Sequence, residues 1–273
     1  MKFNILIIKL KESYKKLTIP QFTIITGFII ICLGTVILST PLCSSSKVGI
    51  WEAFFTSTSA ITVTGLTVID VGKDLTVLGQ IFLAFMLLSG GLGLMAITTF
   101  LQGFVVKGAK LRVRLDKGNT LDEFGVGGIG RTFKSITITA AIIISLGSLI
   151  LYCFGFIDIS NNWERLWASI FHSISAYNNA GFSIWSSSMY EYRTNFLVNF
   201  VFIALIILGG LGWRVIDDIW NNRKNLSYKK LSLHSKLVLR TTFNLIIFGS
   251  VGFLITESLL NGQFFADLNF GER

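Results

Sequence analysis

Five apolar stretches constrain this chain more than any other feature: Gln21–Thr40, Leu75–Val106, Phe133–Phe156, Phe196–Trp213 and Leu237–Leu260. A bilayer's hydrocarbon core is about 30 Å thick, and a helix crosses it with roughly 20 apolar residues. Each stretch is long enough by that measure. Backbone at that depth must satisfy its own hydrogen bonds, which favours helices for runs of this kind. Composition agrees: 52% of the residues are hydrophobic and 14% charged, with a mean hydropathy of +0.66, so water cannot be the only solvent. The first stretch is too long for a signal peptide, and no small-residue cleavage site follows it. An all-α, polytopic membrane protein is expected.

The net charge of +9 raises the question of a polyanionic ligand, and its placement answers it. With a cytoplasmic amino terminus, residues 1–20, 107–134 and 214–240 lie inside, and they hold 19 of the 24 lysines and arginines. The other side keeps Lys47, Lys73, Arg165, Arg193 and Arg273, together with nine of the fifteen acids, among them Asp70, Asp74, Asp158 and Glu191. That is the positive-inside bias, which orients the chain without nucleic acid. The basic face left in the cytoplasm suits anionic lipid. Cys32, Cys43 and Cys153 have neither zinc-site nor disulfide-framework spacing and read as small packing residues.

The chain also repeats itself. Trp51-Glu-Ala-Phe-Phe-Thr-Ser-Thr-Ser-Ala60 aligns with Trp167-Ala-Ser-Ile-Phe-His-Ser-Ile-Ser-Ala176 at an offset of 116 residues. Ile61-Thr-Val-Thr-Gly-Leu66 and Tyr177-Asn-Asn-Ala-Gly-Phe182 follow directly, and each unit then carries the same tetrapeptide, Gly90-Gly-Leu-Gly93 and Gly209-Gly-Leu-Gly212. Matched landmarks in one order set the architecture. Each unit reads as a spanning helix, a short re-entrant pore helix of about ten residues, an irregular polar segment and a second spanning helix. The expected organisation is a cytoplasmic segment 1–17, a first pore unit 18–106, a cytoplasmic loop 107–130, a second pore unit 131–222, a loop 223–236, and residues 237–273 as the first helix of an incomplete third unit. Pro20 suits an early helix position, and Pro41 closes the first span. The tetrapeptides read as small-residue contacts between closely packed helices.

Irregular backbone at membrane depth is tolerated only when protein encloses it or when it lines a water-filled cavity. A dehydrated monovalent cation needs a ring of oxygens to replace its water shell, and backbone carbonyls supply one where glycine lets the chain turn them inward. Thr62, Val63, Thr64 and Gly65 form one such candidate filter, and Asn178, Asn179, Ala180 and Gly181 the other. The threonine hydroxyls and asparagine amides can steady that backbone, and the pore helices aim their partly negative carboxyl ends at the cavity. Neither segment contains an acid, which disfavours a calcium-type carboxylate ring. Alone, either glycine would pass for a turn in an outer loop; the duplicated context argues for a filter.

With these residues in view, the chain resembles the TrkH/KtrB/HKT superfamily of potassium transporters, and within it the KtrB-type subunits. The resemblance rests on Phe54-Phe-Thr-Ser-Thr-Ser-Ala-Ile-Thr-Val-Thr-Gly65, on Ser175-Ala-Tyr-Asn-Asn-Ala-Gly-Phe182 and on both Gly-Gly-Leu-Gly runs, and extends from about Thr18 onward. It implies four units around a pseudo-fourfold axis, each giving one filter glycine, with potassium on the filter backbone and sodium as a candidate coupling ion. It implies a homodimer with a cytosolic, nucleotide-binding regulatory subunit of the KtrA/TrkA type. Glycine at both filter positions matches the potassium-selecting members rather than the serine-bearing, sodium-preferring ones. Units three and four are missing apart from Leu237–Leu260, and with them the gating loop and arginine the family carries there. The expectation is therefore a fragment, or a split or decayed gene product, able to conduct only with the rest of the ring supplied.

Other motifs carry less. Gly125-Val-Gly-Gly-Ile-Gly130 fits a dinucleotide fingerprint by letter, but the strand and βαβ unit it needs are absent from the pattern, and a flexible hinge is the better reading. His172 and His234 lack second ligands at metal spacing. Glu52 and Glu164 stand near the outer mouth, where they either concentrate cations or end helices. Residues 9–16, with Tyr14-Lys15-Lys16, suit an amphipathic surface helix. The functional expectation is potassium uptake across the plasma membrane; the competing reading is a non-conducting membrane scaffold or half-pore. No nucleophile–base or metal constellation suggests an enzyme.

Overall fold

The computed structural model describes residues 19–45, 48–91, 126–223 and 230–259. The expected amino-terminal segment and its surface helix, the Leu92–Val106 part of the second apolar stretch, the loop up to residue 125, residues 224–229 and the chain after Leu259 lie outside the described residues. Regular structure among the described residues is helical, apart from one isolated bridge between Ser44 and Leu75. The chain divides into two compact units, residues 1–141 with 178–186, and residues 142–177 with 187–273.

In the first unit, α1 (Ile19–Leu38) is apolar throughout and begins with Pro20 in its first turn, where the missing N–H leaves no carbonyl unpaired. Its end is marked by the Thr40 hydroxyl donating to the Ile37 carbonyl at 2.6 Å, just ahead of Pro41. The short helix α2 (Ile50–Thr62) starts where Glu52 reaches back to accept from the Gly49 N–H at 2.8 Å. A single helical turn, α3 (Val71–Asp74), is capped by Asp70 and leads into α4 (Val77–Gly91). α2 packs between α1 and α4. Leu38, Ala53, Ala60, Leu83, Met86 and Leu87 form the core of that contact.

Across the boundary between units runs α5 (Val126–Ile150), which continues into a π turn at Leu151–Gly155. The helical start at Val126 corrects the hinge expected from Gly125–Gly130: Val126–Gly130 continue a regular helix, because glycine permits a bend without requiring one. In the second unit, α6 (Asn162–Tyr177) packs against the π turn and α7 (Phe196–Leu211). Phe156, Phe171, Val198 and Leu205 are buried there around His172, whose Nδ1 donates to the Ala168 carbonyl at 2.8 Å. With 13 and 16 residues, α2 and α6 are longer than the ten expected of each, but at about 1.5 Å per residue they remain shorter than a bilayer core.

α7 stops at Gly212, which adopts φ 80° and ψ 149°, and the chain turns by 94° into α8 (Trp213–Asn221). The fourth apolar stretch is thus followed by a sharp break in the helix. Asp218 on α8 then accepts from the Ser232 N–H at 2.9 Å, just before α9 (Leu233–Leu259). Among the described residues two helices could cross a membrane unaided by length and composition, Lys134–Gly155 and Leu233–Thr256, while Ile24–Leu38 and Val77–Gly91 are shorter apolar helices. Large apolar side chains point outward along these elements, including Phe28 and Val36 on α1, Ile81 and Phe85 on α4, and Phe243 and Phe248 on α9. Cys43 is buried as a small packing residue, whereas Cys153 joins this outward face. A soluble protein does not cover itself this way; the chain is a helical membrane protein.

Glycine spacing sets how closely the helices approach, and two kinds of neighbour separate the outcomes. A methyl on Gly79 would overlap the backbone carbonyl of Cys43, whereas one on Gly34 would displace the movable terminal methyl of Met86 and stand 3.0 Å from its sulfur and from the Ser57 hydroxyl. Gly79→Ala is expected to destabilise the protein by about 1–3 kcal/mol, with Gly34→Ala costing clearly less. Gly212→Ala meets no atom within 4 Å, so its loss of about 1–3 kcal/mol is purely conformational. Thermal unfolding of the detergent-solubilised variants reads all three.

Candidate functional site

The first candidate segment grows out of the end of α2. The Val63 N–H donates to Ala60 O at 3.3 Å and the Thr64 N–H to Ser59 O at 2.9 Å, the paired closure of a Schellman motif. The left-handed residue that this motif needs is Val63, at φ 55° and ψ 43°, where glycine usually sits. A β-branched residue there is an outlier that the surroundings must hold in place. Part of the holding is visible: the Thr62 hydroxyl donates to Thr58 O at 2.8 Å and lies 2.6 Å from the Thr64 hydroxyl, bracketing Val63 from both sides. Gly65 follows with φ 81°, so positive φ recurs at every second residue.

The second segment has the same pattern at the end of α6. Asn178 is buried, Asn179 takes φ 56°, Ala180 is 1% exposed, and Gly181 takes φ 72°. Apart from Ser188, Val63 and Asn179 are the non-glycine residues with positive φ among the described residues. Thr64 and Ala180 between them keep negative φ. In a strand successive carbonyls point to opposite sides; alternating handedness turns them toward the same side, which is what a row of oxygens facing one ion requires. Both segments leave the carboxyl end of a helix, where the peptide dipoles concentrate negative potential.

The eight predicted residues all fall within the first unit, and the two segments meet at Gly65, Ala180 and Gly181. A side chain on Gly65 would overlap the Ala180 carbonyl and stand 3.4 Å from the Gly181 Cα. The Gly90-Gly-Leu-Gly93 tetrapeptide contributes to the same contact through its described half. A Cβ on Gly90 would press on the Ile61 and Ala60 carbonyls at the end of α2, and one on Gly91 would occupy the place of the Asn178 side chain. Close packing is therefore the role of Gly90 and Gly91. Gly212, at the end of the matching tetrapeptide, faces open space and breaks a helix instead.

Sequence reading missed the contacts made by the chain just beyond the filters. Asp70 accepts from the Gly72 and Lys73 N–H groups at 3.0 and 3.3 Å, and also from the Ser186 hydroxyl beyond the second segment. Gly72 is so close to the Ile184 carbonyl that any side chain there would collide with it. The bond from Ser186, and after it the backbone donors, hold the Asp70 carboxyl below its usual range against a partly opposing desolvation. The available signal was arithmetic: Gly65 with Gly181, and Asp70 with Ser186, are each 116 residues apart, the offset of the internal alignment.

Glu52 and Glu164 occupy helix ends, Glu52 bonded to the Gly49 N–H and Glu164 to the Asn161 side chain at 3.0 Å. His172 is enclosed by Phe156, Phe171 and Phe202 rings, and His234 is exposed. Among the described residues no group of three or more His, Cys, Asp or Glu side chains is placed to hold a metal ion.

Comparison with known proteins places the chain in a family. The TrkH family model, described as a cation transport protein, matches residues 8–268. The Ktr system potassium uptake protein B of Bacillus subtilis is 35% identical over 241 residues, covering 85% of this chain and 52% of that protein. Its namesake from Vibrio alginolyticus is 34% identical over 246 residues, 87% of this chain and 52% of the relative. The potassium/sodium uptake protein NtpJ of Enterococcus hirae is 34% identical over 265 residues, 93% and 57% respectively. The chain spans about half the length of these curated relatives. On the match across nearly its whole length, the chain belongs to the TrkH family of cation transport proteins.

Proposed function

We propose that this chain forms part of a potassium-conducting pore, in which the backbones of Thr62–Gly65 and Asn178–Gly181 replace the hydration shell of the ion. The observation that carries the reading is the alternation of positive φ at Val63 and Gly65 and again at Asn179 and Gly181, in two segments that touch. Backbone of this kind is costly at membrane depth, and holding it in duplicate makes sense where its carbonyls have a ligand. The absence of acids from both segments favours a monovalent cation over calcium. The contacts at the repeat offset fit two equivalent units beside a common axis, since only positions near an axis meet their own counterparts. Ser57 and Ser173, also one offset apart, are both fully buried, with hydroxyls that have no hydrogen-bond partner among the described residues.

In this reading α2 and α6 are pore helices, the amino terminus is cytoplasmic and the membrane is the plasma membrane, with lysines and arginines concentrated on the inner side. Two segments supply half of a fourfold ring; the remaining filters come from outside this chain's 273 residues. Names of the relatives support potassium as the transported ion, and one relative is named a potassium/sodium uptake protein; sodium enters this reading as a candidate coupling ion. The working unit is a homodimer of complete pores with a KtrA/TrkA-like regulatory subunit on its cytoplasmic face.

Gly65→Ser and Gly181→Ser in the complete transporter test the filter. Each substitution forces a side chain into a left-handed conformation, and at Gly65 also against the Ala180 carbonyl. The potassium-to-sodium uptake ratio should fall about tenfold, the factor carried by 1.4 kcal/mol of distortion. Unchanged discrimination in a potassium-uptake-deficient cell would overturn the filter assignment. Asp70 supplies a pH prediction as well. Its carboxyl is lowered, so the stabilisation it gives is fully present above the ordinary carboxylate range and lost only as pH falls through the lowered value, with Lys73 and Asp74 the charged groups nearest to it. Radioactive rubidium uptake at fixed membrane potential should therefore lose no Asp70-dependent component between about pH 8 and 5.5. A wild-type midpoint in that window that vanishes in Asp70→Asn would contradict it.

A further inference from the structure

Five residues beyond each filter glycine stand Asp70 and Ser186. Asp70 divides its two carboxylate oxygens between two tasks. Oδ1 caps α3 by accepting from the Gly72 and Lys73 N–H groups. That alone would satisfy a helix start. Oδ2 points elsewhere: it accepts from the Ser186 hydroxyl, 116 residues away, and lies 3.4 Å from the Lys73 ammonium. The Asp70 backbone is fixed in turn by its own N–H donating to Asp74 Oδ2 at 2.8 Å.

The chain around this bond is held too tightly for the contact to be incidental. Gly72 abuts the Ile184 carbonyl, so the segment leaving the second filter lies directly on the turn after the first. Within that segment the Trp185 N–H donates to the Ser183 hydroxyl at 3.1 Å, which keeps the stretch between Gly181 and Ser186 compact. Below, Gly65 and Gly181 are already in contact. Two filters are thus joined at two levels, glycine against backbone and carboxylate against hydroxyl, with only four residues of chain between the levels on either side.

We propose that Asp70 and Ser186 form a latch that sets the spacing of the two filter segments and thereby their discrimination between potassium and sodium. This rests on the filter reading above. Both are positioning residues: neither reaches the ion, and both act through Gly65 and Gly181. Selectivity between two monovalent cations depends on how far the carbonyls can follow a smaller ion inward. A cross-link at the outer end of both segments limits that movement. The latch uses a charge-assisted hydrogen bond, stronger than a neutral pair and dependent on direction.

The test compares Ser186→Ala, Ser186→Thr and Asp70→Asn with the wild type in the complete transporter, measuring rubidium uptake and its inhibition by sodium, with membrane content and thermal stability recorded for each. Ser186→Ala should lower the potassium-to-sodium ratio by about fivefold to tenfold while leaving the unfolding temperature close to wild type, because Ser186 is exposed. Ser186→Thr, which keeps the hydroxyl, should restore the ratio. Asp70→Asn, which keeps an acceptor and loses the charge, should fall between. Ser187→Ala serves as control, since that hydroxyl donates locally to Glu191 at 3.1 Å. A selective wild type whose ratio is unmoved by Ser186→Ala overturns the latch and leaves the filter intact. So does an equal loss of both ions, or a failure of threonine to rescue. A wild type that does not discriminate at all, with insensitivity to Gly65→Ser, removes the filter reading itself.

Discussion

Everything else in this molecule depends on holding irregular backbone in place at the ends of two helices. Helices α2 and α6 end there, and the residues after them can no longer pair their own carbonyls as a helix does. Val63 and Asn179 are turned into the left-handed region without the excuse of being glycine. Each such residue carries a conformational cost of about 1–3 kcal/mol that its surroundings must offset. The surroundings are specific: two threonine hydroxyls bracket Val63, Gly90 lets α4 close on the end of α2, and Gly91 makes room for Asn178.

The two segments also hold each other. Neither glycine of the proposed filter could carry a side chain freely, Gly65 because of the Ala180 carbonyl and Gly181 because of its φ of 72°. The proposed potassium pathway and the proposed latch are therefore two consequences of one arrangement, in which backbone approaches backbone more closely than side chains allow. Smallness at Gly65, Gly72 and Gly90 is what permits it. A lipid-facing exterior of phenylalanine, isoleucine and leucine needs no comparable detail, since dispersion contacts with acyl chains are indifferent to geometry.

Membrane character and helical class were legible in the sequence, because hydropathy is a property of the chain read in order. The eight candidate residues came from the internal alignment; all fall in the first unit, where Gly65 meets Ala180 and Gly181. Of the two roles left open for Glu52 and Glu164, their hydrogen bonds show the helix-end one. Tertiary context decided others. Two matching Gly-Gly-Leu-Gly runs take different roles: Gly90 and Gly91 pack, while Gly212 breaks α7 from α8. Identical letters diverge here because a glycine only removes restrictions, and its neighbours decide which freedom is used.

What the sequence determined by itself was the neighbourhood in which the backbone leaves the helix: α2 ends at Thr62 and α6 at Tyr177, a few residues ahead of Gly65 and Gly181. What only the tertiary structure decided was the company those residues keep. The left-handed turns at Val63 and Asn179, the contact of Gly65 with Ala180, and the bond from Ser186 to Asp70 join positions as far as 116 residues apart. Local propensity disfavours a left-handed valine and is silent about a serine in a loop. Both are settled by contacts with distant chain, whose free energy appears only once the fold has brought the partners together.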